Sequence, residues 1–203
     1  ASVGGEHWGR VALRCAEVLP RADPRDLTLL ACALYQVNAS PESVAVFYDA
    51  LEDLLTSRPQ VNDFFAARDL CMVAHSLARH RHPGRPTLEE ASAGAASAEP
   101  FTTWPFEEYV PRRFRDLDVG CLACLLFAAV RLRRGGSHLF EATASLLRRK
   151  RRIGELSAQG IAHACTACAE AIPLIGLRLP LSTLGDLEPE CSRLAPELLP
   201  WQV

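Results

Sequence analysis

Five consecutive cations, Arg148-Arg149-Lys150-Arg151-Arg152, form the most strongly charged stretch of this sequence. Too few Asp and Glu residues lie nearby to pair with all five. Phosphates of a polyanion would neutralise them and release condensed counterions. Compensation of a helix C-terminal dipole is the competing account, and it absorbs one or two cations rather than five. Two smaller clusters, Arg79-His80-Arg81-His82 and Arg131, Arg133 and Arg134, also fall at expected helix ends. Aligned along one edge, such cations would contact a nucleic-acid backbone more than base edges, which gives position rather than sequence. From Pro111 to Arg152, eleven basic residues face Asp116, Asp118 and Glu141, an excess of +8 in a chain whose net charge is −2. That polarisation fits a basic surface turned to an anionic partner; the plainer account is a set of solvated helical arginines.

The cysteines invite a second chemistry. Cys121-Leu122-Ala123-Cys124 and Cys165-Thr166-Ala167-Cys168 have the spacing of paired zinc ligands. The 41 positions from Cys124 to Cys165 exceed the usual ribbon spacing, and both pairs lie within helical apolar patterns. There, as for Cys15, Cys32, Cys71 and Cys191, a thiol serves as a small buried hydrophobe. We therefore expect reduced cysteines in a reducing compartment, with no metal and no cofactor. The six histidines form no HExxH motif and no close Ser/His/Asp signature. Neither a phosphate-binding P-loop nor a strand–GxGxxG–helix unit occurs. The residues point to an interaction surface rather than an enzyme.

The elements that position these groups are helical. The apolar 49% of the chain is mostly Ala, Leu and Val, and the first two favour helix over strand. One pattern recurs four times. Asp26-Leu27 precedes Leu30-Ala31 and Ala33-Leu34. Asp69-Leu70 precedes Val73-Ala74 and Ser76-Leu77. Asp118-Val119 precedes Leu122-Ala123 and Leu125-Leu126. Gly160-Ile161 precedes Ala164-Cys165 and Ala167-Cys168. Apolar residues at i, i+3, i+4 and i+7 define one helical face, and a leading Asp suits an N-terminus. The offsets are 43, 49 and 42 residues, and the long interval holds an Ala/Ser/Gly tract, Ala91 to Ala98, that reads as a loop. A second helix repeats at an offset of 92 residues: Phe47-Tyr48-Asp49-Ala50 with Leu54-Leu55, then Leu139-Phe140-Glu141-Ala142 with Leu146-Leu147.

A helix pair cannot bury its apolar stripe alone, whereas stacked pairs share a continuous core. The expected fold is therefore all-α, an α-solenoid of degenerate helix-turn-helix repeats of about 40 residues. An irregular helical bundle is the alternative. Residues 1–25 would be a partial N-terminal repeat, and residues 26–172 the array, with a loop insertion near 83–100. Residues 173–203 would be a Pro-rich tail of short helices or extended segments. Leu30, Val73, Leu122 and Ala164 should occupy equivalent core places. The longest apolar run, Val119 to Val130, has twelve residues, short of the roughly twenty of a membrane span, so no span is expected. The chain begins at Ala1 rather than Met, which reads as processing, trimming or partial observation; no secretory signal or acidic-poor presequence is expected within it.

The phrases RDLCMVAHSLARHR and DVGCLACLLFAAVRLRRGGSHLFEATASLLRRKRRIGELSAQGIAHACTACAEA resemble organellar helical repeats of the octotricopeptide, heptatricopeptide and FAST-kinase-like kinds. Leu156, Ser157, Gln159, Ile161, Ala167 and Ala169 approximate the first-helix cadence of such repeats, and the resemblance spans roughly residues 26 to 172. It implies a mitochondrial protein, with a plastid as the alternative, that binds RNA. The short array implies a docked structural subunit of a mitochondrial ribosome, contacting ribosomal RNA and neighbouring proteins. A protein–protein scaffold in another organellar complex is the alternative function. Candidate RNA contacts are Arg79, Arg81, Arg131, Arg133, Arg134, Arg148, Arg149, Lys150, Arg151 and Arg152.

Overall fold

Side-chain caps begin three of the helices. The Asp23 carboxylate accepts from the Asp26 N–H at 2.9 Å, with Pro24 following in the first turn. Asp118 Oδ1 accepts from the Cys121 N–H at 2.7 Å, and Ser157 Oγ from the Gly160 N–H at 3.2 Å. Each satisfies an N–H that the first helical turn leaves without an intrahelical partner. The bond to Cys121 also holds the Asp118 carboxyl below the usual carboxylate range. Asp26 and Asp69 differ from this expectation: they lie within the first turn rather than at the cap.

The computed structural model describes residues 3–37, 41–57, 64–81, 113, 116–132, 136–149, 152–175 and 181–197. All its regular elements are helical. They are α1 (Val3–Val18), α2 (Pro24–Gln36), α3 (Pro41–Ser57), α4 (Ala67–Arg81), α5 (Val119–Arg131), α6 (Gly136–Arg149), α7 (Ala158–Ile175) and α8 (Leu181–Leu194). Short 3-10 turns cover Leu19–Arg21, Arg152–Glu155 and Ala195–Glu197. The Ala91–Ala98 tract lies outside the described residues.

Helices α2, α4, α5 and α7 pack side by side in chain order, while α1 lies on α3, α6 on α5 and α8 on α7. Contacts fix the direction of the row. Tyr35 late in α2 meets Arg79 late in α4, and Arg131 ending α5 meets Glu170 late in α7. The four helices therefore run parallel. Their facing stripes are Leu27, Ala31 and Leu34; Leu70, Ala74 and Leu77; Leu122, Leu126 and Ala129; and Ile161, Ala164 and Cys168, all buried. From Cys121 to Leu132 every residue of α5 except half-buried Cys124 is buried, because neighbours cover it on three sides. Of the four expected equivalents, Val73, Leu122 and Ala164 are buried and Leu30 packs partly buried against the same core.

Helix α3 contributes Phe47, Tyr48, Leu51 and Leu55, all fully buried, and α6 contributes Phe140, Ala144 and Leu147. The buried Tyr48 hydroxyl donates to the Ala31 carbonyl at 2.8 Å, and its ring stacks on His80 at 4.2 Å. Tyr48→Phe keeps the ring and removes the donor, so urea unfolding should show a loss of about 1 kcal/mol. An unchanged midpoint would mean that water replaces the bond.

The C-terminal region forms helix among its prolines, one of the two forms expected for it. Helix α7 runs on through Pro173 to Ile175, and residues 181–194 form one regular helix with Pro189 inside it. Proline breaks a helix by clashing with the carbonyl four residues earlier and removing one bond. Burial of Leu187 and Leu194 and packing of α8 against α7 offset that loss.

Candidate functional site

Polar side chains gather on the row of parallel helices. His75 projects from the middle of α4, Cys124 and Phe127 from one face of α5, and His163 from the first half of α7. His75 and His163 reach past α5, so that their Nε2 atoms stand 3.3 Å apart and their ring centroids 4.6 Å. Cys124 Sγ lies 3.8 Å from His163 Nδ1. Phe127 packs against both imidazoles, with ring centroids 5.6 and 5.1 Å away. Ala123 and Ala128 of α5 are also buried.

Around this centre the polar groups are tied down. Arg79 Nε donates to Tyr35 Oη at 2.9 Å, and its guanidinium stands 5.3 Å from the Tyr35 ring and 5.8 Å from Phe127. Tyr35 in turn meets His75 edge-on at 5.9 Å. Cys32 Sγ lies 3.7 Å from Ser76 Oγ. One turn beyond Phe127, Arg131 Nη2 donates to Glu170 Oε1 at 2.6 Å, and Nε stands 2.5 Å from Oε2 as an ion-pair contact outside hydrogen-bond geometry.

Burial sets the protonation of the centre. It lowers His75 to about 3, helped by His163 and Arg79. Burial, with Arg79, lowers His163 to about 4. Both rings are neutral at pH 7, and one Nε2–H can donate to the other Nε2. Burial, then the nearby Asp118 and Cys32 charges, pushes the Cys124 thiol up to about 12. Donor atoms of His75, Cys124 and His163 all lie within 4.8 Å of one another. The trio can ligate an ion or relay a proton.

The basic candidates are placed differently. Arg131 is a correction: it is 7% exposed and neutralised by Glu170, so it belongs to the interior and not to a phosphate-binding surface. Arg79 is half-buried against Tyr35 and Phe127. Arg81 ends α4, Arg148 and Arg149 end α6, and Arg152 begins a 3-10 turn; their side chains lie outside the described part. Arg133, Arg134, Lys150 and Arg151 lie outside the described residues. The two CxxC pairs have separate surroundings, since Cys124 meets His163 while Cys165 Sγ is 3.2 Å from Cys191 Sγ on α8.

Sequence reasoning missed the His/Cys centre. A signal was present: Cys32, His75 and Cys124 recur at 43 and 49 residues, the spacing of the apolar pattern itself. A polar residue returning at one position of an apolar repeat marks a shared line across the stack. No family model, curated protein or solved structure matches the chain.

Proposed function

We propose that the chain is an RNA-binding structural subunit of an organellar ribonucleoprotein, a mitochondrial ribosome by the resemblance of its repeats. It holds RNA phosphates through the basic segment around α6. The observation that carries this reading is the segregation of charge: +8 between Pro111 and Arg152, in a chain of net −2. The parallel row of α2, α4, α5 and α7 supports the finer reading of the fold as an α-solenoid of degenerate repeats. With Arg131 neutralised by Glu170, the phosphate contacts fall to Arg133 and Arg134, which precede α6, and to the five cations from Arg148, which end and follow it. The fourteen residues of α6, which lie between the two groups in sequence, span about 20 Å. Two separated anchors suit a folded RNA backbone better than a single bound anion.

Changing Arg148, Arg149, Arg151 and Arg152 together to Gln tests the reading. The variant should unfold at the temperature of the parent while losing affinity for structured RNA. Each neutralised phosphate contributes about −0.7 to −0.9 to the log–log salt slope, so the slope should flatten by about 3. Scrambled RNA of similar shape should compete in part. Unchanged RNA binding would reduce the segment to a solvated helix end.

Exposed apolar residues favour a second reading, a protein scaffold. Phe64 is 77% exposed and Leu29 58%, both in the N-terminal half, where a protein neighbour would cover them. Loss of a protein partner in the Gln variant, with RNA binding intact, would select that reading.

A further inference from the structure

We propose that His75, Cys124 and His163 form a zinc-binding site, in which two imidazoles and one thiolate hold the ion and water takes a fourth position. The site is independent of the RNA reading, because the basic segment contributes no atom to it.

The geometry brings three ligand side chains within reach of one small ion. Two Zn–N bonds of about 2.05 Å at the tetrahedral angle place their nitrogens about 3.3 Å apart. The His75 and His163 Nε2 atoms stand 3.3 Å apart. A Zn–S bond of about 2.3 Å beside a Zn–N bond gives an N···S distance of about 3.6 Å. Cys124 Sγ lies 3.8 Å from His163 Nδ1, the ring nitrogen opposite the one that faces His75; with one donor atom from each residue the three sit within 4.8 Å of one another, so binding draws them closer by about 1 Å. A turn of the His163 ring selects which nitrogen faces the ion. Rigid elements hold the donors, one each on α4, α5 and α7, and Phe127 packs on both rings. The donors therefore start close together on helices, and a turn of the His163 ring with a small inward shift completes the site.

Donor chemistry selects the metal. Imidazole nitrogen and thiolate sulfur suit zinc, whereas magnesium and calcium demand oxygen ligands. Burial already keeps both imidazoles neutral, which frees their lone pairs. On binding, the Cys124 S–H bond breaks, the sulfur lone pair bonds to the ion and the proton leaves to solvent; nothing is oxidised or reduced. Cys124 is half-buried while both histidines are buried, so the ion reaches the centre from the Cys124 side.

Metal-free protein, prepared with a chelator, should take up cobalt(II) in equimolar amount and show the thiolate-to-metal charge-transfer band and visible bands of a tetrahedral centre. Zinc(II) should displace the cobalt and bleach them. Cys124→Ser should abolish the charge-transfer band and weaken zinc by more than the roughly 10- to 100-fold that even outer-shell changes produce. His163→Gln should weaken zinc comparably. Cys15→Ser, on α1, should bind as the parent does. Because a ligand variant can fail for want of folding, circular dichroism accompanies each, and the parent titration stands alone as a test. A parent protein that shows no thiolate–cobalt band, or a band that survives Cys124→Ser, would overturn the proposal. So would equal loss in Cys15→Ser.

Discussion

Glu170→Gln should destabilise the folded chain by about 3–5 kcal/mol in denaturant unfolding, the usual penalty for stripping one partner from a buried ion pair. Arg131 and Glu170 are 7% and 6% exposed, so water does not replace a lost partner. The guanidinium is held at one face by Phe127, 5.3 Å from the ring centroid, and at its edge by a hydrogen bond to one Glu170 oxygen and an ion-pair contact with the other. Gln keeps one acceptor for Nη2 but sets an amide donor against Nε, leaving a buried positive charge without compensation. The double change Arg131→Met with Glu170→Leu should lie near the parent or above it, because apolar replacement of a whole buried pair removes both desolvation penalties. The contrast between single and double variants is the measurement. A single variant within about 1 kcal/mol of the parent would mean that solvent reaches the end of α5. Because this pair joins α5 to α7, the single variant should also expose α7 amides to faster hydrogen exchange.

Helical content and the apolar stripes were legible in the sequence, since they are local properties. Leu27, Leu70, Leu122 and Ile161 were each marked by their own neighbours, and all four are buried. Register was less legible. The pattern is spaced by 43, 49 and 42 residues, whereas the helices themselves begin at 24, 67, 119 and 158, spacings of 43, 52 and 39. A slide of three residues along a helix nearly preserves an apolar face, so periodicity locates a helix only to within a turn. Caps resolve the slide: Asp118 is itself the cap of α5, while Asp26 and Asp69 lie in the first turns of α2 and α4. Arg131 was misplaced for a related reason. Charge and helix-end position say outside, and only the tertiary approach of Glu170, 39 residues later, brings it in. The His75–Cys124–His163 centre was equally non-local, since His75 and His163 are 88 residues apart. In α8, the prolines left short helix and extended chain both open, and burial of Leu187 and Leu194 favours the helix.

Acid should unfold the metal-free protein early. Folded His75 titrates at about 3 and folded His163 at about 4, both below the unfolded value of about 6.5. The unfolded chain therefore binds more protons than the folded one between these limits. Stability is complete above about pH 6.5 and is lost as pH falls through that value towards the folded pKa values. Each extra proton bound by the unfolded chain removes about 1.4 kcal/mol per pH unit, so the pair removes up to about 2.7 kcal/mol per unit. Urea midpoints between pH 6.5 and 5, taken with chelator present, isolate the histidines, because most carboxylates titrate lower. His163→Gln should roughly halve the slope: it removes one titrating ring and relieves its repulsion of His75. The surviving slope belongs to His75, whose depression comes first from burial and so persists without its neighbour. A flat profile across that window would mean that both imidazoles reach water, and that α4, α5 and α7 stand further apart than their contacts place them.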